Sequence, residues 1–249
     1  MGARTQWNPS EYAKSARFVA ELGEPLLDLL RAEAGETILD LGCGDGALTE
    51  KLAAGGCAVY GVDASFAQAK AARIRGLHVA VMDARELAFR QQFDGVLSNA
   101  VLHWIKSPDR VAAGVWNCLK LRGRFVGEFG GRGNIERVRR ALHQGLALRG
   151  IDPAPVDPWY YPSPGEYSVV LEHAGFTVER TELFARPTRL PGDITEWLGV
   201  FAQPFITALP EADRARYIDG VRASLAPELH DRSGFWTLDY VRLRFAARK

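Results

Sequence analysis

The 249-residue sequence holds three cysteines and no Cys-x-x-Cys pair. Cys43, Cys57 and Cys118 are an odd, scattered set, which argues against a disulfide framework and fits a reducing, cytoplasmic setting. The five histidines are dispersed; none forms a short-spaced ligand pair, so no metal site is expected. No run approaches the ~18 apolar residues of a membrane-spanning helix. The opening residues lack an apolar signal region, and Gln6 breaks the myristoylation pattern. With 31 Lys and Arg against 30 Asp and Glu, the net charge is +1. Neither a general nucleic-acid binder nor a membrane-surface protein is indicated by that balance. The sequence also has no Gly-Lys-Ser/Thr, so no phosphate-binding P-loop, and no internal repeat.

What is present is ample apolar content, 47% of residues, enough for one large packed domain with or without an inserted lid. The most informative stretch is 37–51, Thr-Ile-Leu-Asp-Leu-Gly-Cys-Gly-Asp-Gly-Ala-Leu-Thr-Glu-Lys. Its first residues read as a buried parallel strand ending at Asp40. Glycines then turn the chain, and Leu48 and Leu52 stand one helical turn apart. Strand, glycine turn and helix together present backbone N–H groups to a polar ligand. The glycines fall at 42, 44 and 46, which is not the Gly-x-Gly-x-x-Gly spacing of a dinucleotide site. Two further strand-like runs, 58–62 and 78–82, also end in acids, Asp63 and Asp83. In one parallel sheet, Asp40, Asp63 and Asp83 come to the same edge, where ligands of open α/β sheets bind. An acid at the second strand end, such as Asp63, can accept hydrogen bonds from both hydroxyls of a ribose.

These residues resemble the motifs of class I S-adenosylmethionine-dependent methyltransferases. The resemblance implies a doubly wound, mostly parallel seven-stranded α/β sheet, its last strand antiparallel, with helical lid insertions. It implies S-adenosyl-L-methionine as cofactor. Asp40, Gly42, Cys43 and Gly44 would hold its amino-acid end, Asp63 and Ala64 its ribose, and Asp83 and Ala84 its adenine. The stretch 98–104, Ser-Asn-Ala-Val-Leu-His-Trp, is similar to the fourth motif of the small-molecule branch, and more narrowly to the trans-aconitate methyltransferase group. Ser98 and Asn99 would border the methyl group; His103 and Trp104 would line the acceptor pocket. The opening 7–12, Trp-Asn-Pro-Ser-Glu-Tyr, is similar to the same group, in which an N-terminal helix commonly closes over the cofactor. Tyr12 and Phe18 would then face the sulfonium or simply pack the helix. Asn-Pro-Pro-Tyr, found in many amine-methylating nucleic-acid enzymes, is absent, which argues against bases as acceptors.

The expected organisation is a helical cap over 1–30, a cofactor-binding core over 31–130, a lid or linker segment over 131–165, and the remainder of the core over 166–249 with a helical insertion at 187–232. The glycine-rich turn 130–134 reads as a mobile hinge. The stiff Pro- and aromatic-rich stretch 151–162 reads as a pocket wall offering Trp159, Tyr160 and Tyr161. The run 234–247 alternates in a period of two and reads as one last strand. If the acceptor is a carboxylate, as resemblance to the trans-aconitate group implies, no proton need be removed, and Arg132, Arg186 or Arg189 is the candidate to hold a second carboxylate. A hydroxyl acceptor would need a base, His103 or Tyr12. A histidine that only hydrogen-bonds its surroundings is the other reading of His103. The expected partner is a small-molecule acceptor, with no nucleic acid and no membrane, and the assembly a monomer or homodimer. A non-catalytic cofactor-binding protein and an NAD-dependent oxidoreductase stay as alternatives.

Overall fold

The computed structural model describes residues 23–249. Tyr12, Phe18 and the 7–12 motif lie outside the described residues. The chain runs α1 (Pro25–Leu30), β1 (Thr37–Leu41), α2 (Ala47–Ala54), β2 (Ala58–Asp63), α3 (Phe66–Ile74), β3 (His78–Val81), β4 (Phe93–Asn99), α4 (Pro108–Cys118) and β5 (Leu119–Gly130). It continues through α5 (Glu136–Ala147), α6 (Pro164–His173), β6 (Thr177–Ala185), β7 (Thr188–Arg189), α7 (Ile194–Phe201), α8 (Gln203–Thr207), α9 (Glu211–Leu229), β8 (Thr237–Leu238) and β9 (Val241–Arg248). No helix among the described residues is long and apolar enough to cross a membrane.

Seven strands form one sheet in the order β3-β2-β1-β4-β5-β9-β6. β1 pairs in parallel with both β2 and β4, whereas β9 is antiparallel to its neighbours β5 and β6. The chain leaves β1 toward β2 on one side and returns to β4 on the other. That reversal opens a crevice at the carboxyl ends of β1 and β4.

Successive residues of a strand point to opposite faces, and the core follows that parity. Ile38, Leu97, Val126 and Ala246 pack with Leu26, Leu30, Leu48 and Leu52 of α1 and α2. Their neighbours Leu39, Val96, Phe125 and Phe245 join Val111, Val115, Tyr167 and Leu171 on the opposite face. A third cluster lies away from the sheet faces: Val138, Leu142, Trp159, Trp197, Tyr217, Val221 and Trp236 knit α5, α7 and α9 into a cap. The Tyr217 hydroxyl donates to the Leu142 carbonyl at 2.9 Å and ties α9 to α5.

Two expectations need correction. The last strand is not continuous over 234–247: Thr237 and Leu238 pair with β7, and only Val241–Arg248 joins the main sheet. Between them, the Asp239 and Tyr240 carbonyls accept from the amides of Ile135 and Arg186, which takes those two residues out of either ladder. The expected hinge is pinned: Gly131 and Arg132 amides donate to the Val241 and Pro162 carbonyls, and buried Asn134 accepts from the Val241 amide.

Where β5 meets β9, Glu128 is buried between two arginines. Arg244 reaches it through Nε at 2.9 Å and a terminal nitrogen at 2.6 Å, and Arg186 grips both carboxylate oxygens. Removing one side of such a buried set strands the other. Glu128→Ala is therefore expected to cost about 3–5 kcal/mol in urea unfolding; a loss below ~1 kcal/mol would show that the two arginines are solvated.

Candidate active site

The turn after β1 is fixed from both sides. The Gly42 and Cys43 amides donate to the Val62 carbonyl at 2.7 and 3.0 Å. Gly42 has φ +77°, and a Cβ there would collide with Val101. Gly44 has φ +56° and nothing within 4 Å of a built Cβ; it lies on the wall of a large cavity at the crevice. Asp63 links the first two turns, accepting from the Gly44 amide at 3.0 Å and the Ser65 amide at 2.8 Å. Burial raises its carboxyl above the usual range, partly offset by those two donors.

The cavity measures about 1040 Å³ and is lined by Gly42, Gly44, Asp63, Ala64, Asp83, Ala84, Asn99, His103, Trp104 and Trp159, all expected from the sequence. Such a volume sits at the top of the roughly 300–1,000 Å³ of ordinary small-molecule pockets, and so leaves room for two ligands. Other expected residues lie behind the wall. Asp40 is buried and accepts from the Thr49 hydroxyl of α2 at 2.6 Å, with burial pushing its carboxyl up to about 6. Ser98 donates to the Leu41 carbonyl at 3.0 Å. The Cys43 side chain packs toward Gly61, and burial drives its thiol far above the ordinary range.

Asp83 is engaged by a residue that the sequence reading passed over. Arg85 donates to it through Nε at 2.9 Å and a terminal nitrogen at 2.6 Å. Gln68 was also passed over: it lines the cavity from α3, is buried, and its Oε1 has no hydrogen-bond partner among the described residues.

His103 is oriented by the end of β5. Its Nδ1 accepts from the Gly130 amide at 3.2 Å. A backbone N–H can be met only by a ring lone pair, so the ring proton sits on Nε2. Burial first, and then the charge of Arg242, hold its pKa well below the ordinary imidazole value. The ring is thus a neutral donor at pH 7. The expectation that it serves as a base meets a physical obstacle, because one nitrogen is occupied and the other carries the proton.

The aromatic stretch obeys strand parity. Asp157 anchors it, accepting from Arg139 Nε at 2.6 Å, from the Trp159 amide at 3.0 Å, and bonding His143 Nε2 at 2.9 Å. Trp159 and Tyr161 face the cavity, their rings stacked at 6.0 Å and 14°. Tyr160, expected in the pocket, is not on its wall: it packs against the sheet-side core, because alternate residues of an extended segment face opposite ways. The three arginines expected to hold a carboxylate are also elsewhere. Arg132 is exposed and bonded to Glu166 at 2.7 Å, Arg186 is bonded to Glu128, and Arg189 lies over the Phe235 ring.

A different arginine fills that place. Arg242 on β9, opposite Gly130 of β5, is 6% exposed and lines the cavity. Its guanidinium lies 4.6 Å from the Tyr240 ring centroid, and no carboxylate among the described residues pairs with it. A buried cation without a counter-charge is costly unless something supplies one. The alternation over 234–247 contained the clue, since a basic residue fell in line with Trp236, Leu238 and Tyr240.

A family model described as "Methyltransferase domain" matches residues 39–127. Over 98% of both chains, the protein is 38% identical to an uncharacterized methyltransferase of Schizosaccharomyces pombe. It is 33% identical to a trans-aconitate 2-methyltransferase of Mycolicibacterium gilvum, across 90% of this chain and 89% of that one. Its fold is similar to that of the Haemonchus contortus phosphoethanolamine N-methyltransferase 2 solved with S-adenosyl-L-methionine, with TM-score 0.62 and 18% identity over 99% of this chain and 58% of that one. The cyclase SpnF is similar at TM-score 0.60 and 18% identity, over 100% of this chain and 87% of that one. With the sheet order, the glycine turn and these relatives together, the chain belongs to the class I S-adenosylmethionine-dependent methyltransferases.

Proposed function

We propose that the protein methylates a carboxylate oxygen of a small-molecule acid. The observation that carries this reading is Arg242, a buried guanidinium on the cavity wall with no carboxylate paired to it among the described residues.

The residues present fit the cofactor. Gly44 leaves open space where any other residue would place a Cβ. Asp63 offers carboxylate oxygens to ribose hydroxyls, and Asp83 faces the same cavity for the adenine. Gln68 Oε1 is a buried acceptor in want of a donor, which a ribose hydroxyl or the adenine amine would supply. Bound S-adenosylmethionine supplies a methyl group on a sulfonium, whose positive charge is lost on transfer.

Arg242 and His103 do the work on the acceptor side. The guanidinium holds the acid through charge-assisted hydrogen bonds and fixes its plane. The Nε2–H of His103, a neighbour of Arg242, adds a second donor. A carboxylate is already anionic at neutral pH, so the absence of an available base costs nothing. Tyr161 is no substitute base: burial holds its hydroxyl well above the usual phenol value. The cap cluster around Trp159 and Trp197 keeps water from the acceptor, which strengthens the ion pair and leaves alignment as the main source of acceleration. The trans-aconitate relatives, named for a carboxylate substrate, support the same chemistry.

Three outcomes follow. Arg242→Met is expected to lower kcat/KM toward a carboxylic acid by roughly 10- to 150-fold, about 1.5–3 kcal/mol, with Arg242→Lys in between and cofactor affinity unchanged in calorimetry. An unchanged kcat/KM would remove Arg242 from the site. Gln68→Leu is expected to weaken S-adenosylmethionine binding by about 1–1.5 kcal/mol while leaving thermal stability equal or higher, since an unmet buried acceptor is gone. Because burial holds the His103 pKa well below its ordinary value, the ring stays neutral on both sides of pH 6.5, and its Nε2–H donates whether the ring is neutral or protonated. The log kcat/KM for an acid should therefore be flat from about pH 6.5 to 8.5. A tenfold rise per pH unit across that window would instead identify a titrating base.

A further inference from the structure

We infer that the acceptor is a monocarboxylic acid with a flat, apolar body of aryl or arylalkenyl type, and not a compact polycarboxylate. This rests on the carboxylate reading above and deepens it.

The cavity has little positive charge to spare. Three cationic side chains line the cavity: Arg85, Lys106 and Arg242. Arg85 is bonded to Asp83, and the Lys106 ammonium donates to the Asp157 carbonyl. Arg242 alone among these three has no oxygen partner among the described residues. Asp63, Asp83 and Asp157 also line the cavity. A second or third carboxylate on the acceptor would thus lose its water without gaining a cation, near carboxylates of the same sign. Burying an unpaired anion in this way is strongly unfavourable.

Aromatic rings supply much of the remaining wall. Trp104, Trp159, Tyr161, Trp197, Phe201 and Tyr240 line the cavity beside Arg242. Trp104 and Phe201 are stacked at 6.4 Å and 19°, Trp104 and Trp159 lie 6.0 Å apart, and Trp159 and Trp197 lie 6.5 Å apart. Trp197 Nε1 donates to the Tyr240 hydroxyl at 2.7 Å, and Tyr161 is hydrogen-bonded by Asn134. What they present to a ligand is ring surface. Aromatic faces reward a flat apolar partner by about 0.5–1.5 kcal/mol per ring pair beyond the area buried, whereas a ring face repels a carboxylate. One cation at one end of an aromatic wall is the complement of an aryl acid.

The test is calorimetric titration of the full-length protein loaded with S-adenosylhomocysteine, using cinnamate, cinnamamide and trans-aconitate as probes. Mass spectrometry then looks for methyl esters with S-adenosylmethionine as donor. Cinnamate is expected to bind at least tenfold more tightly than trans-aconitate and to yield its methyl ester with the higher kcat/KM. Trp159→Leu should weaken cinnamate at least fivefold with the affinity for S-adenosylhomocysteine unchanged, which also reports that the variant is folded. If that variant does not fold, the comparison between probes in the unaltered protein decides. Tighter binding of trans-aconitate would overturn the inference and leave the carboxylate reading standing. Cinnamamide binding as tightly as cinnamate would overturn the carboxylate reading itself. Binding of neither acid would overturn both.

Discussion

Register at the β5–β9 edge decides what the cavity can do. Glu128 takes Arg244 from β9 and Arg186 from the segment after β6, so one buried anion pairs with two of three neighbouring arginines. The third, Arg242, sits two residues before Arg244 on the same face of the strand, opposite Gly130. A slip of one residue would turn every side chain of β9 to the other face. The Glu128 pairs prevent that slip, and thereby hold a guanidinium at the cavity with no carboxylate paired to it among the described residues. Gly130 acts from the opposite strand: its amide occupies Nδ1 of His103 and leaves that ring a donor. Positive and donor character are both imposed from the sheet edge, and an anionic acceptor fits them.

Much of this fold was legible because its determinants are local. The strand, glycine turn and helix at 37–51 lie within one short stretch, and acids at 40, 63 and 83 follow three strand ends of one parallel sheet. Position alone does not say what a carboxylate does, however. Asp63 and Asp83 reach the cavity, but Asp40 turns with Ile38 to the helix-covered face and meets Thr49. Gln68 and Arg85 escaped notice for the complementary reason. A Gln inside a helix and an Arg two residues after an Asp are unremarkable until the helix and the turn are folded against one crevice.

The acceptor side was less legible because its residues come from distant parts of the chain. His103, Trp159 and Arg242 converge only when the sheet is assembled. Parity explains the one wrong choice in the aromatic stretch: between Tyr160 and Tyr161, the partner of Trp159 must be two residues on. The arginines chosen by proximity to glycine- and proline-rich turns proved to be bonded to Glu166 and Glu128 or laid over Phe235. The strand break at Asp239 and Tyr240 was invisible for a similar reason. Those two carbonyls accept from amides more than 50 residues away in sequence, at Arg186 and Ile135.

The contact between Arg242 and the acceptor is decisive, and a crystal structure measures it directly. The protein should be crystallised with S-adenosylhomocysteine and whichever carboxylic acid it methylates best. The account predicts both carboxylate oxygens of the acid about 2.7–2.9 Å from the Arg242 guanidinium, with His103 Nε2 within hydrogen-bonding reach. An acid seated in the cavity with its carboxylate away from Arg242 would contradict it.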